Sequence, residues 1–192
     1  MARGDCEQAF ARAAALDGIV LVRARETWLN ERGHLGLPDH LGETRRLLGD
    51  IFLALGGDLA EQGAKRMTSL PGDFLHPDTG TLIEVDESQH FTSFRLQTLC
   101  QYPQDAPLGF DLERYRELCG TWGSEADNYF RTKAAVGFGP GGRQRQRAYY
   151  DALRDLATPA MGRPPLIRVD AADRNGASAY RRSRDRLHDA LG

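Results

Sequence analysis

The chain has 192 residues, of which 41% are hydrophobic and 27% charged, with a formal net charge of −2. This is ordinary globular composition, enough for one domain with a sizeable core, so residues 1–192 read as a single domain. No apolar run approaches the roughly 20 residues of a membrane span. Met1 to Glu7 lacks the apolar core of a secretion signal. The cysteines (Cys6, Cys100, Cys119) are three, widely spaced and without a C-x-x-C pair. That argues against a disulfide framework or a zinc site and points to a reducing cytoplasm.

In chain order, Asp5 to Leu16 has helical composition. Gly18 interrupts it, and Ile19 to Val22 is a short β-branched run that fits either a strand or the start of a helix. Leu41 to Leu55 is the clearest helix, with Leu41, Leu47, Leu48, Ile51, Phe52 and Leu55 on one face. Pro38-Asp39 starts it and Gly56-Gly57 ends it. Glu43 lies in its first turn, where an acid suits the helix dipole. A first strand is expected around Lys65 to Ser69.

Pro71 to Phe91 is the most informative stretch. Gly72 to His76 and Thr81 to Asp86 read as the strands of a β-hairpin, with Pro77-Asp78-Thr79-Gly80 between them. Strand side chains alternate, so Thr81, Ile83 and Val85 share one face, and Leu82, Glu84 and Asp86 the other. Two carboxylates two apart on one face repel each other. A hard divalent cation would convert that repulsion to attraction, and Asp73 on the partner strand could face the same ion. The bland alternative is turn acids and a solvated strand end. Glu84, flanked by Ile83 and Val85, fits that poorly.

Thr92 or Ser93 caps a helix over Phe94 to Cys100. Asp105 to Asp127 is acidic, with a helix over Asp111 to Cys119, so residues 103–130 read as an acidic insertion. Six bases (Arg131, Lys133, Arg143, Arg145, Arg147, Arg154) then stand against Asp151 alone between residues 131 and 154. Such a surplus can hold phosphates, although a charge run is more often a solvated face. Val136 to Gly142 is a glycine-rich loop but not a P-loop, because no Gly-Lys-[Ser/Thr] follows. Gln144 to Leu156 is a helix, Leu166 to Val169 a buried strand, and Ala179 to Leu191 a closing helix. No Ser-His-Asp pattern is legible.

An acid at the start of one strand, a turn, and Ile-Glu-x-[Lys or Asp] on the next resembles the core of the PD-(D/E)XK nuclease superfamily, with its restriction-endonuclease-like fold. Pro71-Gly72-Asp73 stands at the first element and Glu84-Val85-Asp86 at the second. The third position should be Lys and is Asp86. Glu-x-Asp with a following His is closer to relatives of the very-short-patch repair endonuclease, and Glu84 to His90 fits that variant. The resemblance covers Leu41 to Arg95 and, less fully, Arg143 to Asp170. It implies an α/β fold, a small mixed β-sheet flanked by helices.

The same resemblance implies metal-dependent cleavage of nucleic acid, DNA first. Asp73, Glu84 and Asp86 would hold Mg²⁺ (or Mn²⁺), and Glu43 and His90 would support them. Arg95, Arg143, Arg145, Arg147 and Lys133 would meet phosphates. A homodimer is a further expectation for duplex cleavage. Lys65 is a candidate for the missing ammonium. The alternative is a catalytically silent module on the same fold, binding nucleic acid or protein.

Overall fold

The computed structural model describes residues 4–192. Among these residues the chain forms seven α-helices and a four-stranded mixed sheet. The elements in order are α1 (Asp5–Leu16), β1 (Val22–Arg23), α2 (Gly42–Ala54), α3 (Leu59–Gly63), β2 (Phe74–His76), β3 (Thr81–Glu87), α4 (Ser93–Leu99), α5 (Leu112–Ala126), α6 (Arg143–Ala160), β4 (Ile167–Ala171) and α7 (Gly176–Leu191). The expected class, a small mixed sheet flanked by helices, is the one observed.

The strands lie in the order β1-β2-β3-β4. β1 pairs antiparallel with β2, and β2 with β3 through Phe74–Ile83, Leu75–Leu82 and His76–Thr81. The turn closes through Gly80, whose φ of +71° suits a residue without Cβ and whose N–H donates to His76 O. β4 runs parallel to β3, aligning Glu84 with Arg168 and Asp86 with Asp170. A parallel neighbour needs a crossover, which here passes through α4, α5 and α6.

The two faces of the sheet carry different cores. Ile83, Val85, Ile167 and Val169 pack with Phe10 of α1 and Tyr180 and Leu187 of α7. Leu82 belongs to the larger core under α2, α4, α5 and α6. Period-two alternation thus holds on β3: Ile83 and Val85 face α1 and α7, while Glu84 and Asp86 share the Leu82 face. On that face, acids lie where a central strand normally presents apolar groups. Both are buried, so the helices above must supply their partners.

Two local expectations differ. Lys65 to Ser69 forms no strand; Ser69 makes a single bridge to Asn30, and the Lys65 ammonium turns to the Tyr150 hydroxyl at 3.0 Å. The edge next to β2 is filled by Val22 and Arg23, from the run that fitted either strand or helix. The helix in the acidic segment continues to Ala126, beyond the expected Cys119, and buries Tyr115, Leu118 and Cys119.

α1 and α7 approach closely at Gly176, where a Cβ would lie 1.9 Å from Cys6 O and 2.7 Å from Phe10 N. Gly176→Ala should therefore force the helices apart and destabilise the fold by about 1–3 kcal/mol, the usual range for overpacking. Thermal denaturation checks this, with a lowered Tm as the expected result.

Candidate functional site: a buried carboxylate and arginine cluster

The hairpin register sets Asp73 beside Glu84. The Asp73 N–H donates to Glu84 Oε1 at 3.2 Å, and the Val85 N–H donates to Asp73 Oδ2 at 2.9 Å. Gly72 allows this approach: a Cβ there would meet Ala24 Cβ at 2.9 Å and Glu84 Oε1 at 3.0 Å. Burial, reinforced by the charge of Glu84, raises the Asp73 carboxyl well above its ordinary range. Burial also raises Glu84, opposed by Arg154 and Arg168. The two acids therefore hold protons more tightly than free carboxylates do.

Asp86 is engaged differently. Arg168 Nη1 donates to both its oxygens at 3.0 and 2.9 Å, and the Tyr115 hydroxyl donates to Oδ2 at 3.2 Å. His90 Nδ1 lies 3.2 Å from Asp86 Oδ1 and 3.2 Å from Asp151 Oδ2. Arg168 also donates from Nε to Asp155 at 2.6 Å and from Nη2 to Asp151 at 3.4 Å. Asp155 further accepts from Arg95 at 2.5 Å and from the Tyr102 hydroxyl at 2.7 Å. Burial disfavours the Asp151 carboxylate, yet Arg168 and the hydrogen-bonded His90 outweigh it and hold the group well below the usual range.

Asp151, Arg154, Asp155 and Thr158 stand at i, i+3, i+4 and i+7 on α6, which puts them on one helical stripe turned toward the acids of β3. Arg154 Nε lies 3.5 Å from Glu84 Oε1, and Nη2 donates to Pro71 O at 2.7 Å. The cluster thus joins five carboxylates (Asp73, Glu84, Asp86, Asp151, Asp155) to three guanidiniums (Arg95, Arg154, Arg168). The carboxylates outnumber the guanidiniums by two. Arg23, a largely exposed side chain, approaches Asp73 from solvent at 3.9 Å. Arg147 stands at the rim and donates to Gln89 O at 3.0 Å.

The expected site residues separate into three groups. Asp73, Glu84, Asp86 and His90 come together. Glu43 is exposed on α2, which packs chiefly on α6 and the short helical turn at Gly33–Gly36; it stays a solvated first-turn acid and does not join the cluster. Among the described residues no group of three or more His, Cys, Asp or Glu is arranged to hold a metal ion. Asp73 and Glu84 remain as a pair, whereas both oxygens of Asp86 are taken by Arg168.

The basic residues also divide. Arg95 is only 2% exposed, with its guanidinium on Asp155, Thr98 and Tyr102. It is a core cation and has no surface to offer a phosphate. Arg145 turns inward to the carbonyls of Leu55, Phe138 and Pro140. Arg143 is half-buried beside Gln146. Lys133 is exposed, and it and Arg147 lie over the Phe130 ring at 5.1 and 5.9 Å. The residues missed from the sequence are Asp151, Arg154, Asp155, Arg168 and Tyr115. Arg168 did carry a signal: like Glu84, it is a charge inside an apolar strand.

The fold and cluster define a mixed α/β protein with an ionised core. Residues 50–189 match DUF7255, a family of unknown function, and the chain belongs to that family. No curated protein and no solved structure matches it. Among the described residues no helix is long and apolar enough to cross a membrane.

Replacing Arg168 with Met would leave Asp86, Asp151 and Asp155 short of their shared partner. The expected loss is about 3–5 kcal/mol, as for a broken buried ion pair, read as a lower denaturant midpoint. Asp73→Asn should act oppositely. Because the folded carboxyl is raised, its ionisation costs stability at pH above the folded value, and the cost vanishes below the ordinary carboxylate value of about 4. The variant should melt higher than wild type at pH 8, with the gain fading toward pH 4. Paired thermal melts across pH measure it.

Proposed function

We propose that this chain is a metal-dependent phosphodiesterase acting on nucleic acid, with DNA as the expected substrate. The observation that carries the reading is the Asp73–Glu84 pair. These adjoining carboxylates have raised proton affinity and lie in a cluster whose carboxylates outnumber its guanidiniums. A divalent cation would relieve both. Mg²⁺ keeps several waters and needs only one or two carboxylates from a protein, so Asp73 and Glu84 fit it, and Asp86 with its oxygens committed does not. When bound, such an ion supplies Lewis-acid polarisation of a phosphoryl oxygen and a more acidic water.

The chain's own residues do the rest. The Val85 N–H fixes the orientation of Asp73, and Gly72 lets the backbone close on Glu84. Arg168 anchors Asp86, which with Asp151 holds His90. His90 is 22% exposed, so its ring reaches solvent from the edge of the cluster. Lys133 and Arg147, flanking Phe130 beside Gln89, offer cations for a phosphate backbone. An antiparallel hairpin followed by helices and a parallel last strand also agrees with the restriction-endonuclease-like core that the resemblance implies. The three cysteines are free, which suits a cytoplasmic location.

A second reading, a nuclease-like module that binds nucleic acid without cutting it, is favoured by Asp86 standing where the motif has Lys. Cleavage separates the two. Plasmid and single-stranded DNA incubated with Mg²⁺ or Mn²⁺ should be nicked by wild type, and Glu84→Ala should lose this activity by about 100-fold or more. Folded wild type that retards DNA in a gel but does not cut it with either metal would establish the second reading. Binding should weaken steeply between low and physiological salt, as phosphate contacts require.

A further inference from the structure

The sequence lacks the strand lysine that should stand at Asp86, and neither Lys65 nor His90 brings a fixed charge to Glu84. Lys65 is committed to the Tyr150 hydroxyl, and His90 lies on Asp86 and Asp151. Arg23 reaches only Asp73, from solvent at 3.9 Å, whereas one buried cation does face Glu84. Arg154 comes from the middle of α6, is 8% exposed, and sets Nε 3.5 Å from Glu84 Oε1. Its Nη2 donates to Pro71 O at 2.7 Å and its Nη1 to Tyr150 O at 3.2 Å. A single planar group therefore holds the backbone just before Asp73 and also faces Glu84 across the hairpin. Nε is buried and has no hydrogen-bond partner, so the guanidinium is not fully satisfied by its surroundings.

We propose that Arg154 is the positioning residue of this site, supplying from α6 the fixed positive charge and the geometric brace that the third motif position of β3 does not. The assignment rests on the phosphodiesterase reading of the Asp73–Glu84 pair. Arg154 acts through these two acids. Gripping Pro71 O and facing Glu84, it fixes their separation, and as a resident cation it opposes entry of a second cation. An arginine suits this work better than lysine, since its planar fork serves several acceptors in fixed directions.

These two effects pull in opposite directions, which makes the role distinguishable from a merely structural one. In Arg154→Gln, Mn²⁺ should bind the apoprotein roughly three- to tenfold more tightly, because a like charge next to the ligands is gone. Plasmid nicking at saturating Mn²⁺ should nevertheless fall about 100-fold through lost positioning. In Arg154→Lys the charge remains, so Mn²⁺ affinity should stay near wild type and nicking should recover to within about tenfold of it. Calorimetric titration with Mn²⁺ reads the first quantity and a plasmid assay the second.

The inference is overturned if wild type binds Mn²⁺ and nicks DNA while Arg154→Gln matches it in both. It is also overturned if folded Arg154→Lys is as inactive as Arg154→Gln. Should Arg154→Gln not fold, the lysine variant alone decides in the same way. Wild type that neither binds Mn²⁺ nor nicks would remove the phosphodiesterase reading itself, and this assignment with it.

Discussion

The guanidinium of Arg168 is the group on which the arrangement of this protein turns. It is fully buried in the middle of β4, and it bonds to acids from two other elements: Asp86 on β3 and Asp151 and Asp155 on α6. Each ion carries a desolvation cost of several kcal/mol that attraction offsets only in good geometry. The two-oxygen contact to Asp86 and the 2.6 Å bond to Asp155 meet that condition. A network of this kind adds little net stability compared with apolar side chains of the same volume. It ties α6 to the sheet, because Arg168 of β4 pairs with Asp151 and Asp155 of α6 as well as with Asp86 of β3.

That docking has a consequence at the hairpin. Once Asp151 and Asp155 are satisfied by Arg168 and Arg95, the next residue on the stripe, Arg154, falls over Glu84. The stabilised half of the network and the strained half therefore share one helix. Asp86, Asp151 and Asp155 are buried and held in ion pairs by Arg168 and Arg95. Asp73 and Glu84 are crowded, with raised proton affinity, Arg154 beside Glu84 and the exposed Arg23 3.9 Å from Asp73. A site for a cation is expected to look like the second half, because groups that would bind an ion tightly repel each other without it.

Much of this was legible in the chain. Helical composition marks α1, helical spacing marks α2, and period-two alternation puts Glu84 and Asp86 on one face of β3. The hairpin followed from turn residues and β-branched flanks. What failed were readings that depended on exposure. Arg95 has the same local character as a solvated helix arginine, yet it is a core cation, because Asp155 lies 60 residues away in sequence and directly beneath it in space. Glu43 sits correctly in the first turn of α2, but α2 packs on α6 and not on the hairpin. Arg145 stands beside a glycine-rich loop that suits phosphate contacts, yet it braces that loop from inside through the Phe138 and Pro140 carbonyls.

The sequence by itself determined the elements, the hairpin and the pairing of acids on one face, because these follow from backbone geometry and from periodicities only a few residues long. The tertiary structure alone decided which charge meets which. Asp86 and Arg168 are 82 residues apart, and Arg95 and Asp155 are 60 apart. An ion pair across such a separation depends on how helices settle over a sheet, and local patterns carry no record of it. Whether an arginine is a surface cation or a buried anchor is therefore settled by packing.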